Sequence, residues 1–583
     1  MQETQTGITA KLADFEEFVR QTMREWKVQG LAVAIVQDGK VIFSQGFGMR
    51  DIARDLPVTE QTLFPIASCT KAFTTTALGI LADQGKLDWN APVRTYLPAF
   101  RLHDTFATER MTPRDLVTHC SGLPRHDLMW YNSTASREDL FERLRYLEPT
   151  RDFRSFWQYQ NLMYMAAGHL VSQVAGQSWE TFVQQAIFDR LDMVSSNFDV
   201  IETAQTASDF SQPYKEENDE VKEIPFYAAQ GAVAPAGAIV SNIDEMSRWV
   251  LMHMNKGKYN DRQIISESQV ALLHSPQMII PERSQYAETP YSSYAFGWCV
   301  EPYRGHPMLH HSGGIDGFSS FTSLFPGDNF GMVVLSNMSS TPVPVALTYY
   351  IADHLLGMDE TPWNERFMSQ HNEFKEAQKK GKEKSEVDRV PDTRPSHPLA
   401  AYAGDYAHPG YGVLAVRLNE DGSSLQAIFN NMVFPLTHYH YDIFDMRIER
   451  FEIELKASFS TGVKGDITSI TAPLEPTGND IVFKRLPDKE MTEKSFLGQF
   501  AGAYEVLGMI ITIALKGEHT LYASIPGEPD YELVPYKRTE QGAEFQARGI
   551  SGLSIVFNFD ASGTVSEVLI TQPDGTFTAK RKA

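Results

Sequence analysis

The spacing of hydrophobic residues changes along this chain, and the changes predict its elements. Residues 12–26 carry apolar side chains at helical spacing, which predicts an amphipathic helix. The apolar runs 31–36 and 41–43 are joined through Asp38 and Gly39, a combination typical of a β-hairpin. A helix followed by antiparallel strands indicates an α+β layer at the start of the chain.

The middle of the chain has a mainly helical pattern, from about residue 80 to residue 235. It includes a short helix that we predict over residues 111–123, closed by Gly122. Strand-like runs return after residue 290, and we expect them to complete the sheet that the first hairpin begins. These runs cover residues 295–300, 318–325 and 332–336.

Residues 358–398 differ in character from the segments on either side. Lysine and glutamate dominate residues 373–389 and prolines follow, which predicts a solvated helix and then an extended linker. Beyond the linker the apolar period becomes two, as in half-buried strands. The segment 402–406 recurs as 500–504, so we predict two similar all-β units, each closed into a small barrel.

These patterns predict the domain organisation. We expect a large α+β domain over residues 1–357 and a charged helix with its proline-containing linker over 358–398. The two β-barrel units are expected over residues 399–487 and 488–583. A hydrophobic content of 42% in 583 residues allows several full-sized cores.

The composition excludes several classes of partner. The formal net charge of -22 argues against nucleic acid and predicts a soluble protein. No apolar run reaches membrane-spanning length. Residues 1–7 lack the basic and apolar regions of a signal peptide, so we expect a cytoplasmic protein or one whose leader has been removed. The spacing of Cys69, Cys120 and Cys299 suits neither a disulfide framework nor a zinc site, and we expect no metal and no cofactor.

The first candidate for chemistry is a serine and a lysine three residues apart. Ser68 and Lys71 stand just before an apolar run of helical spacing over residues 73–82. Residues i and i+3 share a helix face, so both side chains would point into one volume. A serine becomes a nucleophile when a nearby base takes its proton, and a lysine whose pKa is lowered by desolvation is such a base. The alternative interpretation is an N-cap serine beside a solvated lysine.

Two further short motifs follow the serine and the lysine along the chain. Tyr159 and Asn161 stand in a predicted loop that opens a helix, where an interfacial aromatic and an N-cap are the alternative interpretations. His311 begins a run rich in glycine that includes Gly313 and Gly314. Small residues in a strand indicate the close approach of a ligand or of another backbone, and the alternative is a glycine-rich turn with a surface histidine.

Taken together, the motifs stand in the order Ser-x-x-Lys, Tyr-x-Asn, His-x-Gly. In that order, and with these spacings, the first 357 residues or so resemble the serine β-lactamase and penicillin-binding protein superfamily. Two carboxyl-terminal β units after such a domain resemble the D-aminopeptidase branch and related esterases. The resemblance implies an antiparallel sheet flanked by helices, with a helical subdomain on one side, an active site between them, and lipocalin-like barrels after it.

The resemblance also implies roles for individual residues of this chain. Ser68 would be the nucleophile, Lys71 the base beside it, and Tyr159 a second general acid and base. Asn161 would orient the substrate or Lys71. His311 and Gly313 of the third motif would lie on the strand that lines the cleft. The backbone N–H groups of Ser68 and Gly314 would form the oxyanion hole.

The third motif departs from that of many penicillin-recognising members of the superfamily. They have Lys-Thr-Gly or Lys-Ser-Gly where this chain has His311, Ser312 and Gly313. A lysine holds a positive charge against a substrate carboxylate, whereas a histidine is mostly uncharged near neutral pH. We therefore expect substrates without a free carboxylate at that position, such as amides, amino-terminal residues of peptides, or esters.

The sequence predicts a serine hydrolase that cleaves amide bonds of small peptides or amides, D-residues among them, through an acyl-enzyme on Ser68. One alternative is an esterase or acyl transferase of the same fold with weak β-lactamase activity. Another is a ligand-binding protein whose hydrolase fold is inactive. The expected partner is a small molecule or a short peptide. The barrels are interpreted either as modules that form a homo-oligomer or as lids, and the sequence favours neither.

Overall fold

The computed structural model describes residues 14–226, 231–282, 284–387, 389–448, 453–539, 541–550 and 552–582. The chain forms two compact units. Unit 1 comprises Met1–Arg389 together with Pro409–Tyr411 and Leu474–Asn479. Unit 2 comprises Val390–His408, Gly412–Pro473 and Asp480–Ala583.

The described helices of unit 1 are α1 (Phe15–Glu25), α2 (Thr70–Asp83), α3 (Thr105–Arg110), α4 (Pro113–Leu116), α5 (Asp127–Trp130), α6 (Arg137–Arg143), α7 (Asn161–Ala175), α8 (Trp179–Val183), α9 (Asp189–Leu191), α10 (Val200–Thr206), α11 (Ala234–Gly237), α12 (Ile243–Met254), α13 (Glu267–Leu273), α14 (Val343–Leu356) and α15 (Trp363–Val387). Shorter turns are 3₁₀ at Ala67–Cys69, Val93–Thr95, Leu144–Tyr146 and Gly231–Val233, and π at Gln184–Phe188.

The described strands of unit 1 are β1 (Gly30–Gln37), β2 (Lys40–Asp51), β3 (Leu56–Pro57), β4 (Phe64–Pro65), β5 (Tyr214–Glu217), β6 (Glu220–Glu223), β7 (Val240–Ser241), β8 (Lys258–Tyr259), β9 (Arg262–Gln263), β10 (Met278–Ile280), β11 (Ser292–Tyr294), β12 (Cys299–Tyr303), β13 (His306–Ile315), β14 (Phe318–Phe325) and β15 (Phe330–Ser336). Nine of them form one antiparallel sheet in the order β10-β11-β12-β13-β14-β15-β1-β2-β3. The first hairpin therefore lies beside the last strand, as the sequence predicted.

The central sheet is covered by helices on both faces. On β1, the alternate residues Leu31, Val33 and Ile35 join a core with α1 and α14. The residues between them face α12, which packs against β1 and β15. On that side Phe73 of α2 stacks on Trp249 of α12 with ring centroids 3.7 Å apart. Helix α12 thus connects the sheet to α2, the helix that contains Lys71 and follows the turn of Ser68.

Two predicted helices differ in extent from the observed ones. The helix predicted over residues 111–123 was wrong in length, since α4 covers only Pro113–Leu116 and His119 adopts a left-handed backbone with φ of 59°. Gly122 does not close a helix, since α4 ends at Leu116. The backbone of Gly122 instead lies so close to the Arg151 carbonyl that a Cβ would overlap it. The helix predicted over 12–26 is α1, and residues 12 and 13 lie outside the described residues.

The charged segment forms α15, which begins before the lysine- and glutamate-rich part. Its first residue, Trp363, is buried and donates from Nε1 to Tyr303 OH at 2.9 Å. Its next residue, Asn364, accepts from Trp26 Nε1 at 2.7 Å. The amino-terminal turn of this helix therefore belongs to the core of unit 1, although the sequence predicted a solvated helix.

Unit 2 consists of two closed eight-stranded barrels, formed by β16–β23 and β24–β31. The strands are β16 (Gly404–His408), β17 (Gly412–Leu418), β18 (Leu425–Phe429), β19 (Met432–His440), β20 (Ile443–Ile448), β21 (Ile453–Thr461), β22 (Ile467–Ala472), β23 (Ile481–Arg485), β24 (Gly502–Val506), β25 (Met509–Lys516), β26 (Thr520–Ser524), β27 (Tyr531–Thr539), β28 (Gly542–Ala547), β29 (Ser554–Phe559), β30 (Val565–Gln572) and β31 (Gly575–Arg581). The described part of the unit adds one helix, α16 (Lys494–Leu497), and 3₁₀ turns at Leu399–Ala401, Lys489–Thr492 and Gly498–Phe500.

The sequence repeat coincides with the closure of each barrel. In the first, Tyr406 pairs with Arg485 across the closing strands. In the second, Tyr504 pairs with Arg581 in the same way. Each tyrosine also donates to the carbonyl four residues earlier at 2.8 Å. The predicted fold, an α+β domain with an antiparallel sheet followed by two lipocalin-like barrels, is confirmed.

Replacing Trp363 by alanine should destabilise unit 1 by about 3–5 kcal/mol, because removing a buried indole leaves a cavity in the core. Tryptophan fluorescence during urea unfolding measures this effect in unit 1 alone, since all eight tryptophans lie between residues 26 and 363. Phe374→Ala, at an exposed position of the same helix, is the matched control and should change stability by less than about 0.5 kcal/mol. Equal effects of the two substitutions would contradict the anchoring role of Trp363.

Candidate active site

Ser68 lies on the 3₁₀ turn Ala67–Cys69, directly before the first residue of α2. Two side chains from different elements lie within hydrogen-bond distance of its Oγ, Lys71 Nζ at 3.1 Å and Tyr159 OH at 2.9 Å. Ser68 is therefore the meeting point of two groups that can exchange protons. The free N–H groups in the first turn of α2 favour negative charge developing at this serine.

Lys71 is completely buried. Besides Ser68, its Nζ contacts Asn161 Oδ1 at 2.8 Å and the carbonyl oxygen of Ala236 at 2.8 Å. Burial, and after it the positive charge of Arg125, holds the pKa of Lys71 well below its ordinary value. The interpretation of Lys71 as a solvated cation is wrong, and its surroundings are those of a base.

Tyr159 stands two residues before α7, in the predicted loop. Gln160 is the N-cap of that helix, and its side chain accepts a hydrogen bond from the Leu162 N–H. The N-cap interpretation of Asn161 is therefore wrong, and its amide is available to Lys71. Burial raises the pKa of Tyr159, although the hydrogen bond to Ser68 and the charge of Arg125 act the other way. Tyr159 keeps its proton near neutral pH and is suited to donate it.

His119 supports this loop, and sequence reasoning gave it no role. Its Nδ1 accepts a hydrogen bond from the Gln160 N–H at 3.0 Å. Its ring lies 4.4 Å, centroid to centroid, from the rings of both Tyr159 and Tyr294. Burial lowers the pKa of His119 well below its ordinary value, which keeps Nδ1 free to accept. The left-handed backbone that aims His119 inward is not visible in the sequence pattern.

His311 is buried on β13, so the interpretation as a surface histidine is wrong. Its Nδ1 lies 2.7 Å from the Ser312 carbonyl oxygen, and its Nε2 lies 3.0 Å from Tyr294 OH. A carbonyl only accepts, so Nδ1 carries the hydrogen and Nε2 accepts from the tyrosine. Burial, with the charge of Lys71, lowers the pKa of His311 to about 3. Both ring nitrogens are thus bound to protein groups, and the ring is neutral.

The two glycines after His311 have different surroundings. A Cβ on Gly313 would overlap the Ile66 carbonyl and the Ser320 hydroxyl, so β13 packs directly against the segment that leads to Ser68. A Cβ on Gly314 would meet no atom within 4 Å. Gly313 is needed for backbone packing, whereas the backbone of Gly314 borders open space.

Arg125 and Asp127 join the site from the segment that begins α5. Arg125 Nε donates to Asp127 Oδ2 at 2.5 Å, and Asp127 Oδ1 accepts from Asn161 Nδ2 at 3.1 Å. The guanidinium carbon of Arg125 also lies 4.9 Å from the centre of the Tyr159 ring. Sequence reasoning missed both residues, because neither belongs to one of the three motifs.

The structure adds two findings on the described residues. No group of three or more His, Cys, Asp or Glu side chains among them is arranged to hold a metal ion. None of their helices combines the length and the apolar character needed to cross a membrane.

Comparison with known families agrees with this geometry. The Beta-lactamase family profile matches residues 15–356, more than half of the chain. This range contains every side chain of the candidate active site. The chain belongs to the Beta-lactamase family. A second profile, a domain of unknown function called DUF3471, matches residues 388–485, which contain the first barrel.

Individual relatives within the Beta-lactamase family cover much of the chain. The unguisins hydrolase ungD' of Aspergillus campestris is 28% identical over 496 residues, which are 80% of this chain and 90% of the relative. Protein flp of Staphylococcus aureus is 25% identical over 350 residues, 56% of this chain and 64% of the relative. The family match and these relatives make the chain a serine hydrolase of the β-lactamase and penicillin-binding protein superfamily.

A solved structure shares the fold of this family member. The octameric penicillin-binding protein homologue from Pyrococcus abyssi has a TM-score of 0.53 and 21% identity, covering 81% of this chain and 100% of that chain. None of the relatives named here is described as a D-aminopeptidase, so membership of that branch stays a prediction.

The neutral, buried state of His311 predicts a specific pH dependence of stability. Folded His311 stays neutral down to about pH 3, whereas an unfolded histidine binds a proton below about pH 6.5. The neutral, buried His311 therefore contributes fully to the unfolding free energy above about pH 6.5, and this contribution is lost as the pH falls below that value. Between about pH 4 and 6, His311 should make the unfolding free energy of unit 1 rise by about 1.4 kcal/mol per pH unit. His311→Asn should remove this pH dependence.

The control for this measurement is His103→Asn, because His103 is exposed. It should leave this pH dependence unchanged. If the unfolding free energy changes equally with pH in the native chain and in His311→Asn, folded His311 is already protonated between about pH 4 and 6. This result would contradict the neutral tautomer assigned above.

Proposed function

We propose that this protein hydrolyses amide bonds of small peptides or amides through an acyl-enzyme on Ser68. One observation carries the proposal: Lys71 and Tyr159 contact the same serine oxygen, with pKa values shifted in opposite directions. One group is suited to take a proton and the other to give one. An amine leaving group needs a proton as its C–N bond breaks, so a base and an acid on one serine favour amides.

Acylation follows from this pairing. Lys71 Nζ takes the proton of Ser68 as Oγ attacks the carbonyl carbon of the substrate. Tyr159 OH then donates its proton to the leaving nitrogen, and the C–N bond breaks. The phenolate of Tyr159 then takes a proton from the Lys71 ammonium, which leaves Lys71 neutral for the next step.

Stabilisation of the intermediate and deacylation complete the cycle. The negative oxygen of the tetrahedral intermediate would accept from the backbone N–H groups of Ser68 and Gly314, next to the positive end of α2. Water then attacks the acyl carbon while the same base takes its proton. Ser68 Oγ takes this proton back from Lys71 and leaves as a hydroxyl, and the acid product is released.

The substrate class is limited by the charge of the third motif. His311 is neutral with both ring nitrogens bound to protein groups, so it supplies no cation to a substrate carboxylate. This supports substrates that are uncharged at that position. The name of the Aspergillus campestris relative, a hydrolase of unguisins, agrees with a hydrolytic reaction. D-residue specificity and an ester preference are tested by the substrates used below.

The remaining partner proposal concerns self-association. We retain a homo-oligomer formed through the barrels of unit 2 as a proposal. Multi-angle light scattering of the full chain measures the mass directly, and a mass equal to the 65.6 kDa of one chain would reject it.

Ser68→Ala should abolish the covalent intermediate. After exposure to a fluorophosphonate, intact-mass spectrometry should detect one adduct on the native chain and none on the variant. Trypsin cleavage after Arg54 and Lys71 releases a peptide over residues 55–71 in which Ser68 is the only serine, so the adduct can be mapped.

The control for this experiment is Cys69→Ala. Cys69 is the neighbouring nucleophile in the same peptide, but it is buried, and burial raises its pKa. The variant should keep the adduct. An adduct on Ser68→Ala, or its loss in Cys69→Ala, would remove Ser68 from the proposed role.

Tyr159→Phe should separate amide from ester hydrolysis. Without the phenol, hydrolysis of an amino acid anilide should fall by about 10²–10⁴ in kcat/KM, the range for loss of a general acid. A nitrophenyl ester with the same acyl group has a leaving group that needs no proton and should lose less than about tenfold. D- and L-forms of the acyl group give the stereochemical preference in the same panel. Equal losses on both substrates would contradict the acid role of Tyr159.

A further inference from the structure

Arg125 and Asp127 have a continuous chain of contacts to the base of the proposed reaction. Lys71 Nζ contacts Asn161 Oδ1 at 2.8 Å, and Asn161 Nδ2 donates to Asp127 at 3.1 Å. Asp127 in turn accepts from Arg125 at 2.5 Å. We propose that Asp127 and Arg125 are positioning residues for Lys71. Asp127 orients the amide of Asn161, and the paired charges of Arg125 and Asp127 set the pH range in which the lysine works.

The orientation of Asn161 decides where the lone pair of Lys71 points. A neutral amine has two hydrogens and one lone pair. The Asn161 oxygen and the Ala236 carbonyl, both at 2.8 Å, take the two hydrogens. The lone pair is then left for the hydroxyl of Ser68, the third neighbour at 3.1 Å. This arrangement requires that Asn161 present its oxygen, and not its NH₂ group, to the amine.

Asp127 enforces that orientation. An ionised carboxylate has no hydrogen to donate, so the side of the Asn161 amide that faces Asp127 must be the NH₂ group. The oxygen of the amide then faces Lys71. The ion pair with Arg125 uses the other oxygen of Asp127. An alanine at position 127 would remove this constraint, whereas an asparagine could keep it by accepting through its own oxygen.

The same two residues are the charged groups that act on Lys71. The other titratable side chains facing it from the described elements are Cys69, His119, Tyr159, Tyr164 and His311. Burial raises the pKa of the thiol and of the two phenols and lowers the pKa of the two imidazoles, so all five are neutral near pH 7.

The two charges act on the base in opposite directions. Arg125 lowers the pKa of Lys71 and Asp127 raises it. Glu475, in the Leu474–Asn479 segment of unit 1, is the further charge that acts on Arg125. Arg125 and Asp127 therefore act against one another at the lysine, and removing either one alone should change the pKa of Lys71 in a known direction.

The test uses fluorophosphonate labelling of Ser68 as a function of pH in the full chain. In this step the Oγ–P bond forms, the P–F bond breaks, fluoride leaves, and the serine proton goes to Lys71. Fluoride needs no proton from Tyr159, so the acidic limb of the rate profile reports loss of the proton from Lys71. The probe therefore isolates the base.

Opposite shifts are expected for the two charges. Arg125→Gln removes a cation, raises the pKa of Lys71 and should move the acidic limb to higher pH. Asp127→Asn removes an anion and should move the limb to lower pH. Each shift should be about 0.5–1 pH unit, as for a single charge at the edge of a partly exposed site. The double variant should return the limb toward its native position.

The orientation effect is measured by the plateau rate above the limb. Asp127→Asn should stay within about threefold of the native rate, because asparagine can still accept from Asn161. Asp127→Ala should fall at least about tenfold, the loss typical of a misplaced base. A merely structural role would not separate these two variants while both keep native circular dichroism and thermal unfolding.

The matched control is a second arginine–aspartate pair in unit 1, Arg262 with Asp192 at 2.8 Å, on elements that carry no site residue. Arg262→Gln and Asp192→Asn should leave both the acidic limb and the plateau of the labelling rate unchanged.

The inference rests on the proposed function, and different results would reject each of the two. Labelling that survives Ser68→Ala would reject the proposed function. Labelling that needs Ser68 but shows unshifted or parallel limbs, or equal plateaus for Asp127→Asn and Asp127→Ala, would overturn the positioning role alone.

Discussion

The amine of Lys71 is removed from water and held by three oxygen atoms, and the rest of the site depends on this arrangement. Burying an ammonium ion is costly, and the group responds by releasing its proton more readily. The three oxygen atoms come from separate elements: the turn of Ser68, the start of α7, and α11. The fold brings these elements together around one nitrogen, and this is the environment that the proposed role of Lys71 as a base requires.

The packing around Lys71 accounts for that convergence. Gly168 of α7 lies so close to Pro235 of α11 that a Cβ would overlap the proline ring. This contact brings the two elements that hold Asn161 and Ala236 close together. On the other side, α2 is held to the sheet through the stacked rings of Phe73 and Trp249. The distances at the amine are therefore set by backbone packing and ring stacking, which are rigid, rather than by surface loops.

The sequence predicted the parts of this structure that have a local pattern. The β-hairpin, the later strands, the two barrels and the spacing of Ser68 and Lys71 all follow from periodicity or short motifs. What could not be predicted depends on tertiary packing. The inward aim of His119 follows from a left-handed backbone at one residue, and α15 begins early because Trp363 fits a core built from distant strands. Arg125 reaches the site from a loop and Asp127 from the first residue of the four-residue helix α5, which is too short for a periodic pattern.

Lys71 can act as the proposed base only if its pKa is low enough to leave the amine unprotonated when the reaction begins, and this pKa can be measured directly. The chain labelled with [ε-¹³C]lysine should contain one resonance that Lys71→Arg removes. This resonance should titrate with a midpoint well below the ordinary lysine value of about 10.4. Titration together with the surface lysines near that value would mean that Lys71 is a cation when the reaction begins, and would contradict its assignment as the base.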